Sequence, residues 1–317
     1  MIRKTRRDEL DRHLSFSVTE EESGRKIEEF LKQNGCSHHV LTHLKRTDHG
    51  IILNGEWAYS STRLQCGDIL ELWIREEEAS DQIIPTPLPL NIVYEDEDLM
   101  VINKPADMPI HPSINNHENT LANAVMYYFR EKGEAFVYRC INRLDRDTSG
   151  LLILAKNMFS AAVLYRQSAE RKIHREYLAI AAGETPAEGI IDAPIARAAD
   201  SAIMRCVDFS CGERAVTHYR RLLYSKENDC SLLRIRLETG RTHQIRVHMK
   251  YIGHPLLGDF LYHPTAMERM KRQALHSWSL AFTHPVTGKQ MHFTALPPSD
   301  MQEILNDMGQ KKLLEES

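Results

Sequence analysis

Nowhere in the chain of 317 residues is there a run of the roughly 18 apolar residues that a membrane-spanning helix needs. The first 13 residues are highly charged and carry no apolar stretch of the kind a secretory leader has. No membrane association is therefore expected, and a cytoplasmic protein is. Glycine and proline are scarce, 15 and 13 residues, too few for a fibrous or low-complexity chain. The six cysteines, Cys36, Cys66, Cys140, Cys206, Cys211 and Cys230, form no Cys-x-x-Cys pair. That spacing excludes zinc ribbons and thioredoxin-type sites and predicts reduced, mostly packed thiols.

Several chemistry-bearing motifs are missing as well. There is no Gly-x-x-x-x-Gly-Lys-Ser/Thr loop and no Gly-x-Gly-x-x-Gly turn, so nothing points to a nucleotide cofactor. Ser149 has Asp147 two positions before it, not the glycine of a nucleophile elbow. His-Glu-x-x-His is absent. His243 and His248 are five positions apart, the wrong spacing for two ligands on one helical face, and a chain with 16 histidines offers such pairs by chance. Neither a cofactor nor a metal is expected.

The remaining composition is that of a globular protein, 42% hydrophobic and 26% charged. A chain of this length suggests about two domains, or three, and can bury about three quarters of its unfolded surface. The formal charge is −4, from 40 basic and 44 acidic residues, which for the chain as a whole counts mildly against a nucleic-acid binder.

Segment by segment, residues 1–13 look like a flexible arm. Residues 14–75 form a small α+β unit. Ile27, Phe30 and Leu31 recur at helical spacing and Asn34-Gly35 ends that helix. A second short helix starts near Ser37. Residues 51–53 form a strand entering an Asn54-Gly55 turn, and an alternating strand follows over 67–74. Three consecutive glutamates and three spaced prolines make 76–90 a stiff, extended linker. Residues 91–305 alternate strands (92–94, 99–103, 151–155, 177–180, 218–223, 231–237, 290–294) with helices (120–132, capped by Asn119 or Thr120, and 157–172). Few even βαβ repeats appear, so an α+β fold on a mixed sheet is favoured over a doubly wound one. Residues 306–317 form a helical or frayed tail.

The densest chemistry lies in Asn142-Arg143-Leu144-Asp145-Arg146-Asp147-Thr148-Ser149-Gly150, directly before the apolar strand Leu151–Ala155. Polar groups at the end of a buried strand are held rigidly and suit catalysis; by composition alone the same segment could be a solvated turn. Arg143-Leu144-Asp145-x-x-Thr148-Ser149-Gly150 resembles the active-site motif of the RluA family of RNA pseudouridine synthases. So do, in order, Asn103-Lys104-Pro105 to Met108-Pro109-Ile110-His111-Pro112, Arg175-Glu176-Tyr177-Leu178-Ala179 with Gly183, and residues 237–249 around Thr239-Gly240-Arg241-Thr242-His243-Gln244-Ile245-Arg246. Gly253-His254-Pro255, Gly258-Asp259 with Tyr262, Leu275-His276 and His284-Pro285 continue the series. The N-terminal unit, with Gly67-Asp68, resembles more weakly the S4-type RNA-binding domain that many members carry. Two positions depart from the family pattern: Asn142 stands where His is frequent, and Asp107 where Gly is. Asp tolerates a positive φ better than most residues, so the turn can survive.

The resemblance implies a pseudouridine synthase fold, a mixed and mainly antiparallel sheet with flanking helices. It implies isomerisation of uridine to pseudouridine in structured RNA, most simply large-subunit ribosomal RNA, with transfer RNA as an alternative target. A non-catalytic RNA-binding or ribosome-assembly protein on the same fold is the other alternative. By carry-over, Asp145 is the carboxylate beside the ribose, with the nucleophile and base roles both open. Arg246 pairs with it, and a guanidinium beside a carboxylate favours its ionised form. Tyr177 stacks on the uracil and helps remove the C5 proton. Arg143, Thr148, Arg241, His243 and Gln244 are expected to contact substrate. The uridine should be flipped out of its stack. No obligatory protein partner is expected, and the chain is expected to be a monomer.

That expectation changes the meaning of the charge. Residues 139–177 carry eight basic against four acidic side chains, and residues 241–272 carry six against two. These are the stretches that hold the motifs, so a basic cleft on an acidic body is predicted.

Overall fold

The computed structural model describes residues 11–76, 80, 82–113, 116–264 and 269–308. Most of the predicted arm (1–10), part of the linker (77–79 and 81) and residues 309–317 of the tail lie outside them.

The N-terminal unit is a four-stranded antiparallel sheet in the order β1–β4–β2–β3, from β1 (Asp11–Ser17), β2 (Ile51–Leu53), β3 (Glu56–Trp57) and β4 (Ile69–Arg75), packed with α1 (Ile27–Gln33) and α2 (His38–Arg46). The anticipated helices form for the anticipated reasons. Ile27, Phe30 and Leu31 are all buried, and the Ser37 hydroxyl caps α2 by accepting from the Val40 N–H. Asn54 and Gly55 both take positive φ (53° and 83°), as a two-residue hairpin turn requires. One boundary moves. Asp11, Arg12 and His13 belong to β1 and not to an arm, because the edge of β4 recruits them (Asp11 opposite Arg75, Arg12 opposite Ile74) while Leu14 enters the core.

The larger unit is built on a nine-stranded sheet of β5 (Ile92–Glu95), β6 (Leu99–Lys104), β7 (Ser149–Ala155), β8 (His174–Ala182), β9 (Glu188–Asp192), β12 (Val216–Ser225), β13 (Cys230–Leu237), β14 (Leu275–Thr283) and β15 (Gln290–Thr294). A separate ribbon pairs β10 (Ile195–Arg197) with β11 (Arg205–Val207). The main order is β5–β6–β7–β14–β8–β13–β12–β9, with β15 also on β14. Every pairing is antiparallel except β7 with β14. This is the mixed, mainly antiparallel α+β sheet predicted.

Strand β7 is buried along its whole length because helices cover both faces. Leu152 and Leu154 join Met100 and Ile102 against α3 (Leu121–Lys132), which Thr120 caps. Leu151 and Ile153 face α4 (Met158–Ala169) with Val101. The other helices are α5 (Gln244–Tyr251) and α6 (Ser299–Asp307). Met301, Ile304 and Leu305 of α6 pack on Ile180 and Leu232, and Met308 is buried beside them, so the core runs past the boundary predicted at 305.

Helix α4 is shared between the units. Its Phe159 and Val163 complete the N-terminal core. Around that contact, the Arg12 guanidinium donates to both Asp98 oxygens (2.9 and 2.8 Å), Glu76 accepts from Arg139 and from the Met158 N–H, and Arg166 donates to the Lys32 carbonyl (2.8 Å). The described part of the linker forms no strand. It lies along the larger unit through Ser80 N–H to Phe136 O and Thr86 N–H to Asn123 O.

Two features fix the start of β7. Gly150 has φ 113°, and a Cβ there would sit 2.3 Å from the Ser277 carbonyl, so only glycine admits the parallel approach of β14. Beside it, the buried His276 ring bonds to Ser149 Oγ (2.9 Å) and to the Ala295 carbonyl (2.9 Å). Burial pushes this imidazole down to about 4 from its ordinary 6.5. Between those values the unfolded chain binds the extra proton, so this group's contribution to stability is lost as pH falls from 6.5 towards 4, at up to about 1.4 kcal/mol per pH unit. The expected outcome is a melting temperature that drops through this window in the wild type and drops less steeply in His276→Gln. Thermal melts between pH 7 and 4 check it.

Candidate active site

The loop leading into β7 is held by its backbone so that its side chains can face outward. The Asp145 carbonyl accepts from the Thr148 N–H (3.1 Å), closing a turn. The Arg146 carbonyl accepts from Lys104 Nζ (2.9 Å) and the Asp147 carbonyl from Arg272 (3.0 Å). Leu144 points into the core while Asp145 stays a quarter exposed. Lys104 is fully buried and also donates to the Pro105 and Met108 carbonyls (2.7 and 2.9 Å), tying the Lys-Pro loop to the aspartate loop. Burial lowers its pKa to about 7, against the opposing charges of Asp147 and Asp145.

The two departures from the family pattern both have structural accounts. Asp107 adopts φ 55°, the conformation expected of it. Asn142 is buried and its Oδ1 accepts from the Ile153 N–H (2.9 Å), bracing the loop against β7.

Asp145 lies in a cleft of about 970 Å³ with Arg143, Thr148, Tyr177, Arg241, His243, Gln244 and Arg246. That volume is at the upper end for a small-molecule site. All eight residues singled out in the sequence therefore line one space, but they stand in it differently. Arg246 Nη1 donates to Asp145 Oδ2 (3.1 Å). Its Nε and Nη2 make a two-pronged contact with Asp259 (2.7 and 2.8 Å), and its guanidinium lies 5.1 Å from the Tyr262 ring centre. Burial would lower the Arg246 pKa, but hydrogen bonds and charge from Asp259, and then from Asp145, hold it above its ordinary value. The guanidinium is therefore a fixed cation aimed at Asp145.

Tyr177 is buried in β8, opposite Ile235 of β13 and Ser277 of β14. His243 sits at φ 57° where α5 begins; its Nδ1 bonds to the Tyr262 hydroxyl (2.9 Å) and its Nε2 is 3.9 Å from Asp145 Oδ2. Burial lowers the His243 pKa, with Asp145 pulling the other way. Arg143 is exposed at the cleft and Arg241 is ion-paired with Glu213. Gln244 is engaged inside the protein, accepting from Thr239 and the Arg241 N–H and donating to Val216 and Thr217. Thr148 is buried and accepts from Gln273 (3.2 Å). Both shape the loops around the cleft.

Asp259, Tyr262 and Lys104 carry no assigned role in the sequence, although all three stand within the matched motifs. Asp259 follows Gly258, which has φ 68° and whose Cβ would lie 2.2 Å from the Arg272 carbonyl. That Gly-Asp pair was the available signal.

Among the described residues, one trio, Asp96, Asp98 and His284, brings three metal-type ligand atoms within 4.8 Å of one another. Its groups are already satisfied. His284 bonds to Asp96 (2.8 Å), and Arg12, Asn157 and Ser160 donate to Asp98. These contacts tie it into the junction of the two units. Nor is any helix of the described residues long and apolar enough to cross a membrane.

Among the described residues, seven arginines line the cleft, and Asp145 and Glu238 are the acidic residues that do. The predicted basic cleft is present. Its charge suits a polyanion, and it holds one carboxylate, fixed by a buried cation, in the space that Tyr177 also lines.

Comparison with known proteins agrees. The sequence model described as RNA pseudouridylate synthase matches residues 98–251. The chain is 39% identical over 280 residues to the uncharacterized RNA pseudouridine synthase YjbO of Bacillus subtilis, covering 88% of this chain and 98% of that one. It is 46% identical over 231 residues to ribosomal large subunit pseudouridine synthase D of Zymomonas mobilis, covering 69% and 72%. Among solved structures, human RNA pseudouridylate synthase domain containing 1 superposes with a TM-score of 0.55 at 26% identity, covering 70% of this chain and 96% of that one. The chain belongs to the RluA family of RNA pseudouridine synthases, isomerases that act on RNA.

Proposed function

We propose that this isomerase modifies uridines of large-subunit ribosomal RNA and that Asp145, Arg246 and Tyr177 carry the chemistry. The observation that supports the residue roles best is the Asp145–Arg246 contact at 3.1 Å within the cleft that Tyr177 lines. The ribosomal target rests on relatives such as the Zymomonas mobilis enzyme, whose name states that substrate.

In this reading the target uridine leaves its stack and enters the cleft, at a cost of a few kcal/mol. Arg143, exposed at the cleft, fills the space it vacates. The N1–C1′ bond breaks, the base turns over Tyr177, and C5 bonds to C1′. The C5 proton is removed and N1 regains one, so no atom is added or lost. Asp145 acts at the ribose, as nucleophile or as base, and Arg246 keeps it charged and oriented. The N-terminal unit serves as an S4-like RNA holder, tethered by the 76–90 linker and adding affinity without chemistry.

Carbodiimide mapping of pseudouridine in total RNA, with and without the gene, tests target and activity together. The expected result is loss of defined large-subunit ribosomal sites on deletion. Loss confined to transfer RNA would move the target, and an unchanged map would remove the reading.

A further inference from the structure

At the rim of the cleft one carboxylate meets two guanidinium groups and an imidazole. Glu238, just after β13, places Oε1 2.7 Å from His218 Nε2 of β12. Its Oε2 lies 3.5 Å from Arg171 Nη1 and 3.6 Å from Arg214 Nη2. Arg171 follows α4, and Arg214 precedes β12. Three side chains, one from the end of α4 and two from the start of β12 and its lead-in, thus converge on one carboxylate.

Two further observations suggest that the convergence is built for a ligand. Arg171 has φ 59°, a left-handed conformation at the end of a helix, where glycine is the usual residue. The Lys172 N–H closes back to the Gln167 carbonyl (2.8 Å), the hydrogen bond that accompanies such a helix end. A large cationic side chain therefore stands where a small residue is easier, and it leans over the cleft that it lines. Both arginines are also more than half exposed (57% and 56%). Exposed pairs of this kind hold weakly, so the phosphates of a polyanion lying in the cleft can compete with the carboxylate for them.

We propose that Glu238 is a placeholder for a backbone phosphate of the RNA, and that Arg171, Arg214 and His218 form a phosphate site beside the reacting uridine. Two guanidinium groups and an imidazole converging on one point suit the oxygens of a phosphodiester as they suit those of a carboxylate. Glu238 keeps the three groups gathered while no RNA is bound. It also taxes every RNA that enters, so chains that cannot place a phosphate there gain nothing from displacing it. Hydrogen bonding from His218, the leading cause, holds the Glu238 pKa below the usual carboxylate range, so the placeholder stays charged at neutral pH.

This inference rests on the cleft being the RNA site. The test uses the full chain and a fluorescein-labelled uridine-containing RNA hairpin, with affinity read by anisotropy between 50 and 200 mM salt. Glu238→Gln should bind about fivefold more tightly at low salt. Glu188→Gln removes an exposed charge from β9 on the outer edge of the sheet and serves as the control for net charge alone. Arg214→Ala should bind several-fold more weakly, with the slope of log affinity against log salt shallower by about 0.7–0.9, the mark of one lost phosphate contact. Thermal melts confirm that each variant is folded. A Glu238→Gln protein that binds no better than Glu188→Gln, or an Arg214→Ala protein with an unchanged slope, overturns the placeholder. Tritium release from C5-labelled uridine RNA by the wild type, measured in the same preparation, keeps the outcomes apart. Turnover without the Glu238→Gln gain refutes the placeholder alone, whereas absence of turnover refutes the functional reading beneath it.

Discussion

Asp145→Asn is expected to lower uridine isomerisation by at least ~10³-fold, the scale on which a positioned nucleophile or acid–base group contributes. Binding of RNA should survive it. Asparagine has nearly the shape of aspartate, and the loop is held through the backbone carbonyls of residues 145–147, which the substitution leaves in place. Arg246 keeps its two-pronged contact with Asp259, so the cleft retains its cation. Tritium release from C5-labelled uridine RNA measures turnover and filter binding measures affinity. Near-normal turnover in this variant would take Asp145 out of the mechanism.

Asp259→Ala should unfold the protein more readily, by about 3–5 kcal/mol, because it strands a buried guanidinium without its main partner. The exposures justify that magnitude: the side chains of Arg246 and Asp259 are 3% and 0% exposed. For a unit of this size the loss corresponds to a fall of roughly 6–20 °C in melting temperature. Asp259 also aims Arg246 at Asp145, so turnover should fall together with stability. A double variant, Arg246→Met with Asp259→Asn, separates the two effects. It buries no unpaired charge and should recover much of the melting temperature while remaining inactive. If stability stays as low as in the single variant, the buried pair is not what Asp259 contributes.

The parts that sequence made visible are those where local pattern and burial agree. In α1, the helical spacing of Ile27, Phe30 and Leu31 coincides with the buried face. In β15, the predicted 290–294 strand is the observed one. The parts it hid are those where polar residues are buried for a purpose. Ile245, Val247 and Met249 alternate with Arg246 and His248 in a strand-like rhythm, yet the segment is α5, buried on nearly every side. Arg246 is there for Asp145 and Asp259, and His248 bonds to Thr217 and the Ala193 carbonyl. Strand β14 was hidden for the same reason. Its His276, Ser277 and Ser279 look like loop residues, but each has a partner inside the fold: Ser149, the Leu151 carbonyl and His292. The eight residues that line the cleft were legible because the family motifs name them. Its support was not, since Asp259 and Lys104 act through geometry that no spacing in the chain reveals.

Strand β14 also decides when the active site can exist. Without it the main sheet falls into two halves, β5–β6–β7 and β8–β13–β12–β9. The Asp145 loop feeds the first half and Tyr177 belongs to the second. The strand that joins them is made from residues 275–283, near the end of the chain, and its pairing with β7 spans more than a hundred residues. Contacts so distant in sequence form late and slowly. A chain emerging from the ribosome therefore holds all three proposed catalytic residues well before it can bring them together, and a nascent chain paused before residue 275 has the chemistry of the enzyme in two unjoined pieces.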